Sequence, residues 1–104
     1  MQRVYLSGQI TGLEEAEYKQ KFAIAEMKLK HMGYAVFNPA KKGIVPGYQW
    51  ADYMRADIKE LCECDYIYQL DNWENSKGAK LEADIATKLC IPFLKIKFRE
   101  VQQR

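Results

Sequence analysis

Asp65-Tyr66-Ile67-Tyr68-Gln69-Leu70 is a short run rich in aromatic and branched side chains, closed off by polar residues, and it reads as a β-strand. On both sides of it the periodicity becomes helical. Upstream, from Gln49 to Cys62, Trp50, Met54, Ile58 and Leu61 recur at helical spacing, and Trp50 is read as a core residue. Downstream, past a polar loop from Asp71 to Lys77, Leu81, Ile85 and Leu89 place a stripe on a helix running from Gly78 to Leu89. A strand held between two helices is one unit of a β/α alternation, and the remaining chain supplies the others. Arg3-Val4-Tyr5-Leu6 reads as a first strand that stops at Ser7-Gly8. From Glu14 to Met32 there is no Gly or Pro, Tyr18, Phe22, Ala25, Met27 and Leu29 give a helical face, and Gly33 ends it. Tyr34-Ala35-Val36-Phe37 is a second strand ended by Asn38-Pro39, and Lys41 to Tyr48, with Gly43, Pro46 and Gly47, is loop. Ile91 to Ile96 reads as a last strand with Pro92 near its start, and residues 98–104 as a tail or a short extra element.

Strands alternating with helices predict an α/β fold with one domain over residues 1–104: a three-layer sandwich around a parallel sheet of four or five strands, in flavodoxin-like or Rossmann-like order. Such sheets bind ligands outside the carboxyl ends of their strands, so the loops after Leu6, Phe37, Leu70 and Ile96 are expected to form one wall.

With 16 basic and 14 acidic residues among 104, the net charge of +2 gives no footprint for polymeric nucleic acid. No stretch approaches the roughly 20 apolar residues of a membrane span, and Met1-Gln2-Arg3-Val4-Tyr5 lacks the apolar run of a signal peptide. Cys62, Cys64 and Cys90 are odd in number and do not read as a disulfide framework. Cys62-x-Cys64 with His31 alone cannot assemble four zinc ligands, so no metal and no cofactor are expected. His31 ends a helix, where a cation suits the dipole, and is given no catalytic role. Reduced thiols point to a cytoplasmic protein.

Two carboxylates stand where apolar residues belong. Asp57 falls inside the stripe of the second helix, three after Met54 and four before Leu61. Glu82 lies beside the stripe of the third helix and shares a side with Ala86 and Leu89. Asp and Glu are rarely buried without a partner or a task, so each either pairs with a lysine or a backbone amide, or does chemistry. Glu82 sits just inside a helix that opens Ser76-Lys77-Gly78, where free N–H groups favour an anion, although Ser76 at that spacing is also an ordinary N-cap.

Tyr5-Leu6-Ser7-Gly8, Gly33-Tyr34-x-Val36-Phe37-Asn38-Pro39, Met54-Arg55-x-Asp57-Ile58, Cys64-Asp65-Tyr66-Ile67 and Ser76-Lys77-Gly78-Ala79-x-Leu81-Glu82 occur in that order. From Val4 to about Ile96 the set resembles the nucleoside 2-deoxyribosyltransferase superfamily, which includes the 2'-deoxynucleoside 5'-monophosphate N-glycosidases, and it is closest to an uncharacterised bacterial and phage branch. The resemblance implies that Glu82 is the nucleophile, that Asp57 protonates or orients the leaving base, and that the Tyr5 hydroxyl holds the carboxylate. It also implies that Ser76 and Gly78 receive a 5'-phosphate. The monophosphate glycosidases carry an arginine where this chain has Thr11, and Asp71-Asn72-Trp73-Glu74-Asn75 is more acidic than a phosphate site. A second subunit often completes the family's site, so a homodimer or larger homo-oligomer is implied.

The expected activity is cleavage or transfer of the N-glycosidic bond of a nucleoside or nucleotide through a glycosyl-Glu82 intermediate, hydrolase and transferase being equally open. The alternative is a nucleotide-binding module without turnover. Around the site, Ser7 and Gly8 either turn the first loop or offer an N–H to substrate. Trp73 either stacks on a base or serves as a loop or dimer contact. Asn38 either closes a turn or lines the pocket. Asp65 is expected to bond nearby backbone, and Lys95, Lys97 and Arg99 to form a solvated strand edge.

Overall fold

The computed structural model describes residues 1–96; the expected tail and the positions of Lys97 and Arg99 lie outside the described residues. Three helices alternate with a three-stranded parallel sheet: β1 (Arg3–Ser7), α1 (Glu15–His31), β2 (Ala35–Phe37), α2 (Trp50–Cys62), β3 (Tyr66–Gln69) and α3 (Lys77–Lys88). Short 3₁₀ turns at Pro39–Lys42 and Trp73–Asn75 follow β2 and β3. The strand order is β2-β1-β3, with Val4 beside Val36 and Tyr66.

The expected fourth strand is reduced to a single parallel bridge between Ile67 and Phe93. Ile67 donates to the Pro92 carbonyl at 3.0 Å and accepts from the Leu94 N–H at 2.8 Å. Pro92 has no N–H to add, and β3 is only four residues long, so little ladder is available there.

Alternation along β1 divides the core. Val4 and Leu6 pack with Tyr18, Phe22, Ala25 and Leu29 of α1. Tyr5 faces the other way and packs with Leu61, Cys64, Ile67, Ala86 and Ile91. Ser7 is two residues on from Tyr5, shares its face and is buried. Asp65 accepts from the Arg3 N–H at 2.8 Å and so ties the entry of β3 to β1.

Three apolar assignments differ from the sequence reading. Met27, read as part of the inner face of α1, is 63% exposed, and the buried side of that helix includes Glu26 instead. Trp50 is 37% exposed because it starts α2 at the rim of the molecule. On α3 the buried stripe is Ala79, Glu82 and Ala86, while Leu89 is 56% exposed. Small alanines bring this helix close to its neighbours, and the bulkier Leu81 and Ile85 lie along the margin. A Cβ on Gly78 would meet the Met54 sulfur at 3.0 Å, so this glycine also lets α3 approach α2.

Helices α1 and α3 end alike. Gly33 adopts φ +97° with the Tyr34 N–H bonded back to Leu29, and Cys90 adopts φ 59° with the Ile91 N–H bonded back to Ala86. A side chain in the left-handed region costs about 1–2 kcal/mol, and the Cys90 side chain is exposed, with nothing to lose in packing. Cys90→Gly should therefore raise stability by about 1 kcal/mol in denaturant titration; an unchanged midpoint would show that Cys90 is unstrained. Among the described residues no helix is long and apolar enough to cross a membrane.

Candidate active site

The chain leaves β1 for β2 on one side and returns past β1 to β3 on the other. The switch point of such a sheet lies beyond the carboxyl end of the central strand. A cavity of about 650 Å³ opens there, walled by Gly8 and Ile10 to Leu13 after β1, by Pro39, Ala40 and Lys42 to Ile44 after β2, and by the start of α3. Asn75 and Ser76 are the part of the loop after β3 that reaches it, and residues near Ile96 do not line it. Glu82 from α3 and Asp57 from α2 both line this cavity.

Glu82 is 5% exposed. The Tyr5 hydroxyl donates to its Oε2 at 2.5 Å, and the Ser7 hydroxyl donates to its Oε1 at 2.7 Å. Both donors come from one face of β1, so the strand fixes both carboxyl oxygens at once. The Tyr5 ring is stacked on Phe37 at 5.6 Å between centroids, which fixes the ring from β2. Burial pushes the Glu82 carboxyl up to about 7; the Tyr5 and Ser7 bonds pull against this, Asp57 adds to it and Lys42 opposes it. Burial, followed by the charge of Glu82, pushes the Tyr5 hydroxyl well above its ordinary value, so it remains a donor.

Asp57 is 6% exposed, and its Oδ1 is bonded to Lys42 Nζ. Burial raises its carboxyl above the usual range, with the Lys42 contact working in the opposite direction. Lys42 ends the 3₁₀ turn Pro39–Lys42, donates also to the Pro39 carbonyl at 3.3 Å, and lies 5.7 Å from the Phe37 ring centroid. At the mouth, Ser76 caps α3 by accepting from the Ala79 N–H at 3.0 Å, and Lys77 Nζ lies 4.2 Å from the centroid of the Trp50 ring. Ser76, Lys77, Gly78, Thr11 and Trp50 all line the cavity.

A family model described as "Domain of unknown function (DUF4406)" matches residues 2–95. The chain belongs to the DUF4406 family. No curated protein shows a significant match to it.

In this DUF4406 domain the site residues expected from sequence separate into two groups. Glu82, Asp57, Gly8, Ser76 and Gly78 line one cavity, with Tyr5 and Ser7 directly behind Glu82. Ser7 uses its hydroxyl on the carboxylate, a contact the sequence reading did not assign to it. Asn38 is not on the cavity wall: its Nδ2 donates to Glu26 at 2.9 Å and its Oδ1 accepts from the Ala40 N–H at 2.9 Å. Asn38 thus caps the turn that carries Lys42. Trp73 is also off this wall and lines a separate cleft with Tyr68, Phe93 and Leu94, because the turn Trp73–Asn75 carries it toward the β3 edge.

Lys42, Lys77 and Trp50 are among the cavity residues that the sequence reading missed or misplaced, as are Glu15 and Tyr53. The fold rule put the loop after Phe37 on the wall, but nothing local distinguishes Lys42 from Lys41, which instead binds Glu26 at 2.8 Å. Among the described residues no group of three or more His, Cys, Asp or Glu side chains is arranged to hold a metal ion.

Proposed function

We propose that this domain breaks or exchanges the N-glycosidic bond of a nucleoside or nucleoside 5'-monophosphate through a covalent glycosyl-Glu82 intermediate. One observation carries the reading: a buried glutamate on a cavity wall, with both oxygens held by hydroxyls from a single strand. Breaking a C1'–N bond builds positive charge on the sugar and negative charge on the base. A fixed carboxylate beneath C1' stabilises the first and can bond to that carbon. A proton delivered from the Asp57 side relieves the second. The cavity volume is in the range of small-ligand sites and accommodates a nucleotide. Ser76, Gly78 and the start of α3 at its mouth suit a 5'-phosphate.

The finer architecture in this proposal is a three-layer, flavodoxin-like sandwich in which residues 91–96 extend the sheet beyond β3. Its support is the Ile67–Phe93 bridge and the two core clusters on either side of β1. A cytoplasmic homodimer or larger homo-oligomer belongs to the same proposal. It is supported by free Cys62, Cys64 and Cys90 and by exposed Ile24 and Met27 on α1.

The test is incubation with a panel of nucleosides and their 5'-monophosphates, with and without a free acceptor base. Base released without acceptor identifies a hydrolase, and product formed only with acceptor identifies a transferase. Tight binding with no turnover across the panel overturns the proposal and leaves a nucleotide-binding module.

The nucleophile must be ionised, so kcat/KM should fall as pH drops below about 7. Ser7→Ala removes a bond to the charged form and should move this limb up by about one pH unit. A pH profile checks it, and an unmoved limb would assign the titration to another group.

A further inference from the structure

We infer that the Lys42 ammonium is the group that gives a proton to the departing base, with Asp57 as the residue that positions it. The inference rests on Glu82 acting as the nucleophile and concerns the opposite wall of the same cavity. Of the other titratable side chains on the lining, Lys42 and Asp57 touch each other and are the two that act electrostatically on Glu82. A carboxylate in contact with an ammonium is an acceptor only, whereas the ammonium has three N–H bonds. One of these goes to Asp57 and one to the Pro39 carbonyl. The third remains for the cavity, which Lys42 lines with a side chain that is partly exposed.

The surroundings fix this arrangement. The pair is faced by Glu82 from α3, Glu60 from α2 and Tyr5 from β1. The Phe37 ring lies under the ammonium, and the same ring stacks on Tyr5. One aromatic plate from β2 therefore sets both the hydroxyl behind the nucleophile and the cation that faces the leaving group.

In the first step a Glu82 oxygen bonds to C1' as the C1'–N bond breaks. The electron pair of that bond goes to the base, and the base takes a proton from Lys42, leaving a neutral amine. In the second step water attacks C1', the bond to Glu82 breaks with its electron pair returning to the carboxylate, and the proton of the water goes to the Lys42 amine. The enzyme is restored, and the balance is one substrate and one water consumed, one base and one free sugar or sugar 5-phosphate released. In transfer, an incoming base bearing N–H replaces the water.

The experiment compares a purine nucleoside 5'-monophosphate with its N7-methylated counterpart, whose base leaves without needing a proton. Lys42→Met should lower kcat on the ordinary substrate by about 100-fold and on the methylated one by less than about 5-fold. Lys42→Arg keeps the cation and its bond to Asp57 but does not release a proton, so it should be impaired in the same selective way. Equal losses on both substrates, or recovery in Lys42→Arg, would overturn the assignment while leaving Glu82 in its role. A wild-type protein inert across the panel of nucleosides and 5'-monophosphates, these two substrates included, would overturn the nucleophile reading and this inference with it.

Discussion

Glu82→Gln should abolish base release and at the same time make the protein more stable at pH 8. The expected loss of turnover is at least about 10³-fold, because an amide oxygen does not form the glycosyl ester. The gain in stability follows from linkage. An unfolded glutamate releases its proton near the ordinary value of 4.5, whereas folded Glu82 holds it up to about 7. Between those values the folded state binds more protons, so stability falls as pH rises through the window and stays low above it. The difference corresponds to as much as about 3 kcal/mol. Glutamine carries no charge to bury; its carbonyl oxygen accepts from one of the two hydroxyls, and its NH2 donates to the oxygen of the other. Thermal unfolding should therefore show a higher Tm for the variant at pH 8, by roughly 5 °C or more, with the gap closing toward pH 5. Equal Tm values at both pH values would mean that the carboxylate is accommodated without cost. A variant with undiminished turnover would remove Glu82 from the chemistry.

The parts of this site legible in sequence are those written in short periodicities. The contact of Tyr5 with Glu82 is implied by the family resemblance alone, and that of Ser7 emerges from the structure, where two residues two apart on one strand share a face and reach the same carboxylate. Asp57 falls at the buried spacing of α2 between Met54 and Leu61, and the structure leaves it buried among them. Glu82 was visible as a charge beside an apolar stripe, but the stripe itself was misjudged. Side-chain size drew attention to Leu81, Ile85 and Leu89, whereas close helix packing selected Ala79 and Ala86. The sequence leaves the partner of Asp57 open between a backbone amide and an unspecified lysine. Choosing Lys42 over Lys41 required the 3₁₀ turn at Pro39–Lys42, which points one ammonium into the cavity and the other at Glu26. Trp50, read as core, lies at the rim, and Trp73, left open between base stacking and a loop contact, lies in the separate cleft. Each sits at the start of a helical segment, where periodicity has no preceding turn to fix the facing direction.

The second large effect is expected at Glu26, which does not line the cavity but bonds residues flanking its wall. Glu26 is buried on α1 and holds Lys30 at 2.7 Å, Lys41 at 2.8 Å and Asn38 Nδ2 at 2.9 Å. Burial alone would raise its carboxyl, but these three partners hold it down at about 2. The folded state therefore favours the charged form. Its contribution to stability is complete above the ordinary value of 4.5 and is lost as pH falls from there through about 2. Both lysines are more than half exposed, which weakens their share, so Glu26→Ala should cost on the order of 2 kcal/mol at pH 7. Denaturant titrations of wild type and variant should converge as pH falls from 4.5 toward 2. The loss also reaches the chemistry, because Asn38 caps the turn whose last residue is Lys42. With Asn38 released, Lys42 no longer meets Asp57 in a fixed geometry, and kcat should drop while the Glu82 limb of the pH profile stays in place. A destabilised variant with full kcat would separate the α1 anchor from the proton-donating wall.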